Sequence, residues 1–213
     1  MVVDSRPRTS LTLPHWVQCA TEVLVDEGVD SVRVDSVARN LGVTRGSFYW
    51  HFKDRADLLQ HMLDAWRDAA TEQIIERFSR QAGDPRALIR DLLSLPFRGQ
   101  AAERAARVEL AVRDWARRDV LARHALDDVD ARRISYIAQC FSALGFDIDQ
   151  ARARAFILYG YEVAESLLRR QGSSTQKTER STLLEQMLLT PAAALGAAVA
   201  PVAQRVSGAR RRV

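Results

Sequence analysis

The segment RVDSVARNLGVTRGSFYWHF, residues 33–52, breaks into two short helical runs around a single glycine. In the first, about 34–40, Val34, Val37, Ala38 and then Leu41 recur at the three–four spacing of one helical face. Gly42 follows where a sharp reversal needs a residue free to take a positive φ. Thr44 stands just before the second run, about 45–50, and its hydroxyl is placed to cap that helix by accepting from free backbone N–H groups. Two such helices joined by Leu41-Gly42-Val43 make the corner of a helix-turn-helix, with Ala38 small at the close approach and Val37, Leu41, Val43 and Phe48 sealing a small core. Arg45, Gly46, Ser47, Tyr49 and Trp50 are then carried toward solvent. Donors, one small residue and aromatic bulk make a surface suited to the base edges of a DNA major groove.

Charge agrees with this locally. Arg39, Arg45, Lys53 and Arg55 fall within seventeen residues that hold one acid, Asp54. Over residues 1–60, however, 8 acids stand against 7 bases, so the head is roughly neutral with one basic edge. Such an edge contacts phosphates with a measurable salt dependence. His51 reads as a packing or phosphate-edge residue. The net charge of +4 says little by itself, since Arg205 and Arg210, Arg211 and Arg212 near the end supply that much.

Outward from the segment the pattern is helical almost throughout, and no alternating run suggests a strand. A first helix is expected at about 14–27, with Pro14 in its first turn, Gly28 as a stop, and Trp16, Cys19, Ala20, Val23 and Leu24 on one stripe. Asp54 opens a long helix expected to reach about residue 80, and Gly83-Asp84-Pro85 reads as stop, cap and new start. Further helices follow at about 85–95, 102–118, 120–144, 149–171 and 178–190. Residues 171–178 read as an exposed connector. The expectation is an all-α chain in two domains: a three-helix DNA-binding head over 1–60, a larger helical ligand-binding and dimerisation domain over 61–200, and a disordered basic tail over 201–213.

The region from Trp16 to Leu59 resembles the DNA-binding domain of the TetR (tetracycline repressor) family. Val37-Ala38 is similar to its Ile-Ala pair and Leu41-Gly42-Val43-Thr44 to its turn. The run from Gly46 to Phe52, followed by Lys53-Asp54-Arg55 and Leu58-Leu59, is similar to its second signature. The resemblance implies phosphate contacts at Thr44, Tyr49 and Arg55, and base contacts at Arg45, Ser47 and Trp50. Two positions depart from the pattern: Arg33 stands where a threonine cap is usual, and Arg55 replaces a lysine, keeping charge but changing donor geometry. Beyond residue 60 the resemblance is architectural and implies a ligand cavity and a homodimer built by the last two helices.

Several features bound the function. Hydrophobic residues make up 47% and charged residues 27%, an ordinary globular balance. The first ten residues do not read as a secretory signal, and the Ala-rich run 191–203 is too short and too broken to span a bilayer. Cys19 and Cys140 fall on apolar faces and are expected to be buried free thiols. A cytoplasmic protein is the expectation. No histidine has ligand spacing, and no nucleophile–base–orienter set is present, so neither a metal, a cofactor nor an enzyme is expected. Glu109 with Arg113 and Asp114 with Arg118 lie four apart and read as solvated ion pairs. Most aromatics beyond the head are core. Trp66, Trp115, Tyr136, Phe156 and Tyr159 are the candidates to line a pocket for an apolar or aromatic effector. A homodimer on a palindromic operator in double-stranded DNA, released by that effector, is the leading expectation. An all-α enzyme or a protein–protein adaptor with a vestigial helix-turn-helix is the rival.

Overall fold

The computed structural model describes residues 11–72, 75–76 and 84–191. All regular structure among them is helical: α1 (Leu13–Glu27), α2 (Val34–Asn40), α3 (Arg45–Phe48), α4 (Arg55–Arg67), α5 (Pro85–Ser94), α6 (Gly99–Trp115), α7 (Val120–Ala143), α8 (Ile148–Leu167) and α9 (Ser174–Leu189). Short 3-10 turns lie at Val29–Ser31 and Leu95–Phe97. Contacts divide the chain into two compact units. One takes the described residues up to 76 together with 103–130, and the other takes 84–102 and 131–191.

In the first unit, α1 ends at Gly28, whose φ of 84° only glycine adopts without strain. Its stripe of Trp16, Cys19, Ala20, Val23 and Leu24 is buried as the spacing predicts. That stripe meets Val37 and Ala38 of α2, Phe48 of α3 and Leu58, Leu59, Met62 and Leu63 of α4 in one continuous core. The core continues through Trp66 to Val112 and Trp115 of α6 and Ala122, Leu126 and Val129 of α7. Ion pairs edge it: Arg104 and Arg107 of α6 reach Glu22 and Asp26 of α1 at 2.9 and 2.7 Å.

Asp54 caps α4 by accepting from the Asp57 N–H at 2.9 Å. The helix does not run on as one regular rod. Its α-geometry stops at Arg67, and Asp68–Glu72 forms a π-helical turn that brings Ala70 and Thr71 inside. Residues 75–76 are helical again, while the rest of the expected continuation to residue 80 and the Gly83 stop lie outside the described residues.

In the second unit, Leu88, Ile89, Leu92 and Leu93 of α5 are buried, as are Ile137 and Phe141 of α7 and Ala151, Ala155 and Leu158 of α8. Arg154 is buried too. It donates to the carbonyls of Leu188 and Thr190 at 2.9 and 2.8 Å and lies 4.1 Å over the Phe146 ring. A cation on the last carbonyls of α9 complements the negative end of the helix dipole and fixes that end against α8. Helix α9 starts at Ser174, inside the expected connector, because the Ser173 hydroxyl accepts from the Gln176 N–H while the Gln176 side chain accepts from the Ser173 N–H. Helix α8 ends at Leu167 instead of near 171.

Both cysteines are buried free thiols, and burial pushes the Cys140 thiol up to about 11. Among the described residues no helix is long and apolar enough to cross a membrane. The tail 201–213 lies outside them.

Candidate nucleic-acid interface

The turn between α2 and α3 closes as the sequence indicates. Gly42 has φ 68°, its N–H donates to the Arg39 carbonyl at 3.1 Å, and the Val43 N–H donates to the Ala38 carbonyl at 3.0 Å. Helix α3 is a single turn ending at Phe48, and Tyr49, Trp50 and His51 follow in a turn instead of extending the helix. Phe48 anchors this short element. It is fully buried, edge-on to Trp16 at 5.6 Å between centroids and stacked on Phe52 at 5.1 Å. An element of four residues has no stability of its own, so this aromatic cluster holds it in place.

With Phe48 and Phe52 inward, their neighbours point out. Trp50 is 88% exposed and Tyr49 52% exposed. Arg39, Thr44, Arg45, Gly46 and Lys53 are exposed as well, and Ser47 is half-buried. Arg45 donates to the Tyr49 hydroxyl at 3.4 Å and sits 3.7 Å from the Asp35 carboxylate. The Tyr49 hydroxyl first and the Asp35 carboxylate second push the Arg45 pKa up from a value at which an arginine is already a permanent cation. Asp35, which the sequence reading passed over, thus orients a residue of the candidate reading face. His51 is half-buried with its ring 6.3 Å from Trp16.

Three expectations need correction. Thr44 makes no side-chain cap to α3; its hydroxyl instead lies 3.3 Å from the Ser47 hydroxyl, so the oxygen serves a neighbouring side chain and not a backbone N–H. Arg55, expected on the phosphate edge, folds inward: Nε donates to the Val32 carbonyl at 2.6 Å and Nη2 to the Val29 carbonyl at 2.7 Å. Glu109 and Arg113 are not a solvated pair. They are only 14% and 22% exposed, and Arg113 also grips Asp130 of α7 with two bonds of 2.8 and 3.1 Å. Asp114 and Arg118 are a solvated pair, at 3.3 Å and more than half exposed. Arg33, as the missing threonine foretells, gives α2 no side-chain cap.

The pocket candidates scatter. Trp66 and Trp115 are buried in the core cluster of the first unit. In the second, Tyr136 is half-buried, and Tyr159 is buried with its hydroxyl accepting from Arg133 at 3.1 Å. Phe156 is 67% exposed and points away from the interior of its unit, because Ala155, Leu158 and Tyr159 already occupy the inward face of α8. A surface concavity of about 540 Å³ runs along α9, lined by Ser174, Thr175, Thr178, Glu179, Thr182, Leu183 and Gln186, and none of the five candidates borders it. Among the described residues no three His, Cys, Asp or Glu side chains gather as a metal site.

Against known proteins, residues 17–62 match the family model of bacterial regulatory proteins of the tetR family. The HTH-type transcriptional regulator AcrR of Shigella flexneri is 27% identical over 211 residues, covering 90% of this chain and 96% of that protein. A crystal structure of a transcriptional regulator from Rhodococcus sp. Rha1 superposes with a TM-score of 0.67 at 17% identity, over 84% of this chain and 96% of its own. The regulator FadR from Bacillus subtilis, solved in complex with stearoyl-CoA, superposes with a TM-score of 0.63 at 17% identity, over 84% and 98%.

Proposed function

We propose that this chain is a transcriptional regulator of the TetR family, a repressor that binds a palindromic operator as a homodimer and leaves it when a small molecule binds. The observation that carries the DNA half is the exposed face of the helix-turn-helix. Arg45, Tyr49 and Trp50 stand outward around Phe48, flanked by Arg39 and Lys53. Arg45, Ser47 and Trp50 read bases; Arg39, Thr44, Tyr49 and Lys53 hold phosphates, Gly46 permits close approach, and His51 supports the edge.

The dimer is proposed to form through α8 and α9. On one protomer Ile157, Leu167, Leu168, Leu183 and Met187 are each more than half exposed, with Gly160 between them. Apolar area of this kind on adjacent helices calls for a partner, and a two-fold copy is the commonest one. Leu188 of α9, by contrast, is 3% exposed and belongs to the core of its own protomer. Two heads related by the two-fold fit half-sites about one helical turn apart, roughly 34–36 Å or somewhat more.

The effector is proposed to be apolar or aromatic and to act by shifting α4, which carries the head at its first turn and Trp66 at its last. A ligand moves that balance only by its differential affinity for the two states. The FadR relative binds stearoyl-CoA, a ligand with a long apolar chain. Enrichment of duplexes from a random library, followed by anisotropy titration over a range of salt, tests the reading. A palindromic consensus with a steep salt slope supports it, and salt-independent or absent binding leaves an adaptor or an enzyme instead.

A further inference from the structure

The two departures from the family pattern, Arg33 and Arg55, meet at one turn. Helix α2 begins without a side-chain cap, because Arg33 holds the N-cap position and its Nε is turned back to the Asp30 carbonyl at 3.1 Å. The segment before it, Val29–Ser31 with Val32, is a single 3-10 turn whose Val32 side chain is fully buried. Arg55, the first residue of α4, crosses to this turn and donates to both Val29 and Val32 carbonyls, 26 and 23 residues away in sequence. A planar guanidinium offers Nε and Nη2 in a fixed fork, so two bonds to two carbonyls fix direction as well as distance. One turn further on, Leu58 and Leu59 of α4 are buried in the core that holds α2 and α3.

We propose that Arg55 is a positioning residue for DNA recognition. From inside the head it fixes the start of α2, and therefore the angle at which α3 presents Arg45 and Trp50, and it neutralises no phosphate itself. It supplies from another helix the restraint that a cap on α2 would otherwise give. The inference rests on the DNA-binding reading and concerns how that reading surface is aimed.

The test uses the full-length protein, a duplex enriched by the wild type from a random library, and a scrambled duplex of the same length. R55K, R55Q and K53A are titrated on both at several salt concentrations, and each is melted thermally. R55K and R55Q are expected to lose about tenfold or more on the enriched duplex, with scrambled-duplex binding and the salt slope at wild-type values. An ammonium keeps the charge but cannot span two carbonyls as the fork does. K53A is expected to weaken both duplexes alike and to flatten the slope by about one unit. Wild-type affinity in R55K together with a flattened slope in R55Q would make Arg55 a phosphate ligand and overturn the proposal. Equal loss on both duplexes, in step with a lowered melting temperature, would reduce Arg55 to general stability and overturn it as well. Should R55Q fail to fold, R55K decides, since it retains the charge and the aliphatic stem. A wild type that enriches no duplex removes the DNA-binding reading, and this inference with it.

Discussion

Phe48 and Trp50 are two residues apart, yet one is fully buried and the other 88% exposed, so truncating each to alanine separates the scaffold of the head from its reading face. Phe48→Ala removes a ring that contacts Trp16 edge-on and stacks on Phe52, at 5.6 and 5.1 Å. Loss of a buried phenylalanine costs about 3–5 kcal/mol from transfer and cavity terms. A loss of about 4 kcal/mol lowers the folded-to-unfolded ratio by roughly a thousandfold, a large fraction of what a domain has in total. Urea unfolding followed by tryptophan fluorescence reads this directly, because Trp16 lies against the ring removed. The head of the F48A variant is expected to melt first and to bind DNA weakly at any salt. Trp50→Ala touches no core, so its unfolding midpoint is expected within about 0.5 kcal/mol of wild type, while affinity for the enriched duplex falls about tenfold or more and its base preference changes. Unfolding of W50A at the F48A midpoint, or wild-type DNA binding by F48A, would refute this assignment of inward and outward faces.

Replacing Ile157 and Leu183 by glutamate is expected to leave the protomer folded, since both are more than half exposed, and to shift sedimentation toward the 23.9 kDa monomer at micromolar concentration. Arg180 makes a bidentate bond of 2.9 and 3.1 Å to Glu165, a carboxylate only 5% exposed. Arg180→Ala is expected to cost roughly 2–3 kcal/mol in urea unfolding, below the usual 3–5 for a fully buried pair because Arg180 is partly solvated. Burial first, then the nearby Glu165, pushes the Tyr161 hydroxyl up to about 12, and burial pushes the Cys140 thiol up to about 11. Both groups favour the fold fully below their ordinary values of 10 and 9, and that contribution is lost as pH rises through the folded values. Stability is therefore expected to fall above about pH 9, and Tyr161→Phe with Cys140→Ala should flatten the alkaline limb of a pH–melting curve.

What was legible in the sequence is what local period and local chemistry determine. Phe48 and Trp50 could be told apart because the helical spacing from Val37 and Ala38 through the Gly42 turn leaves one inward direction, and Phe48 fills it. The α1 stripe follows from the same rule. Arg55 was misplaced because its partners are 23 and 26 residues away. No local pattern tells a guanidinium that reaches outward to phosphate from one that reaches inward to carbonyls. Arg113 was misread for the same reason, since Asp130 joins it from the next helix. On α8 the difficulty is different. That helix is apolar on an inward face with Ala151, Ala155 and Leu158 and also on an outward one with Phe156, Ile157 and Leu167, so its spacing cannot say which face is core. Phe156 fell on the wrong side of that ambiguity. The ambiguity is itself informative, because a helix that must satisfy its own core and a second copy carries two apolar stripes. The uncertainty about Phe156 as pocket lining and the proposal of a dimer thus have one physical origin, and the sedimentation of the Ile157 and Leu183 variants addresses both.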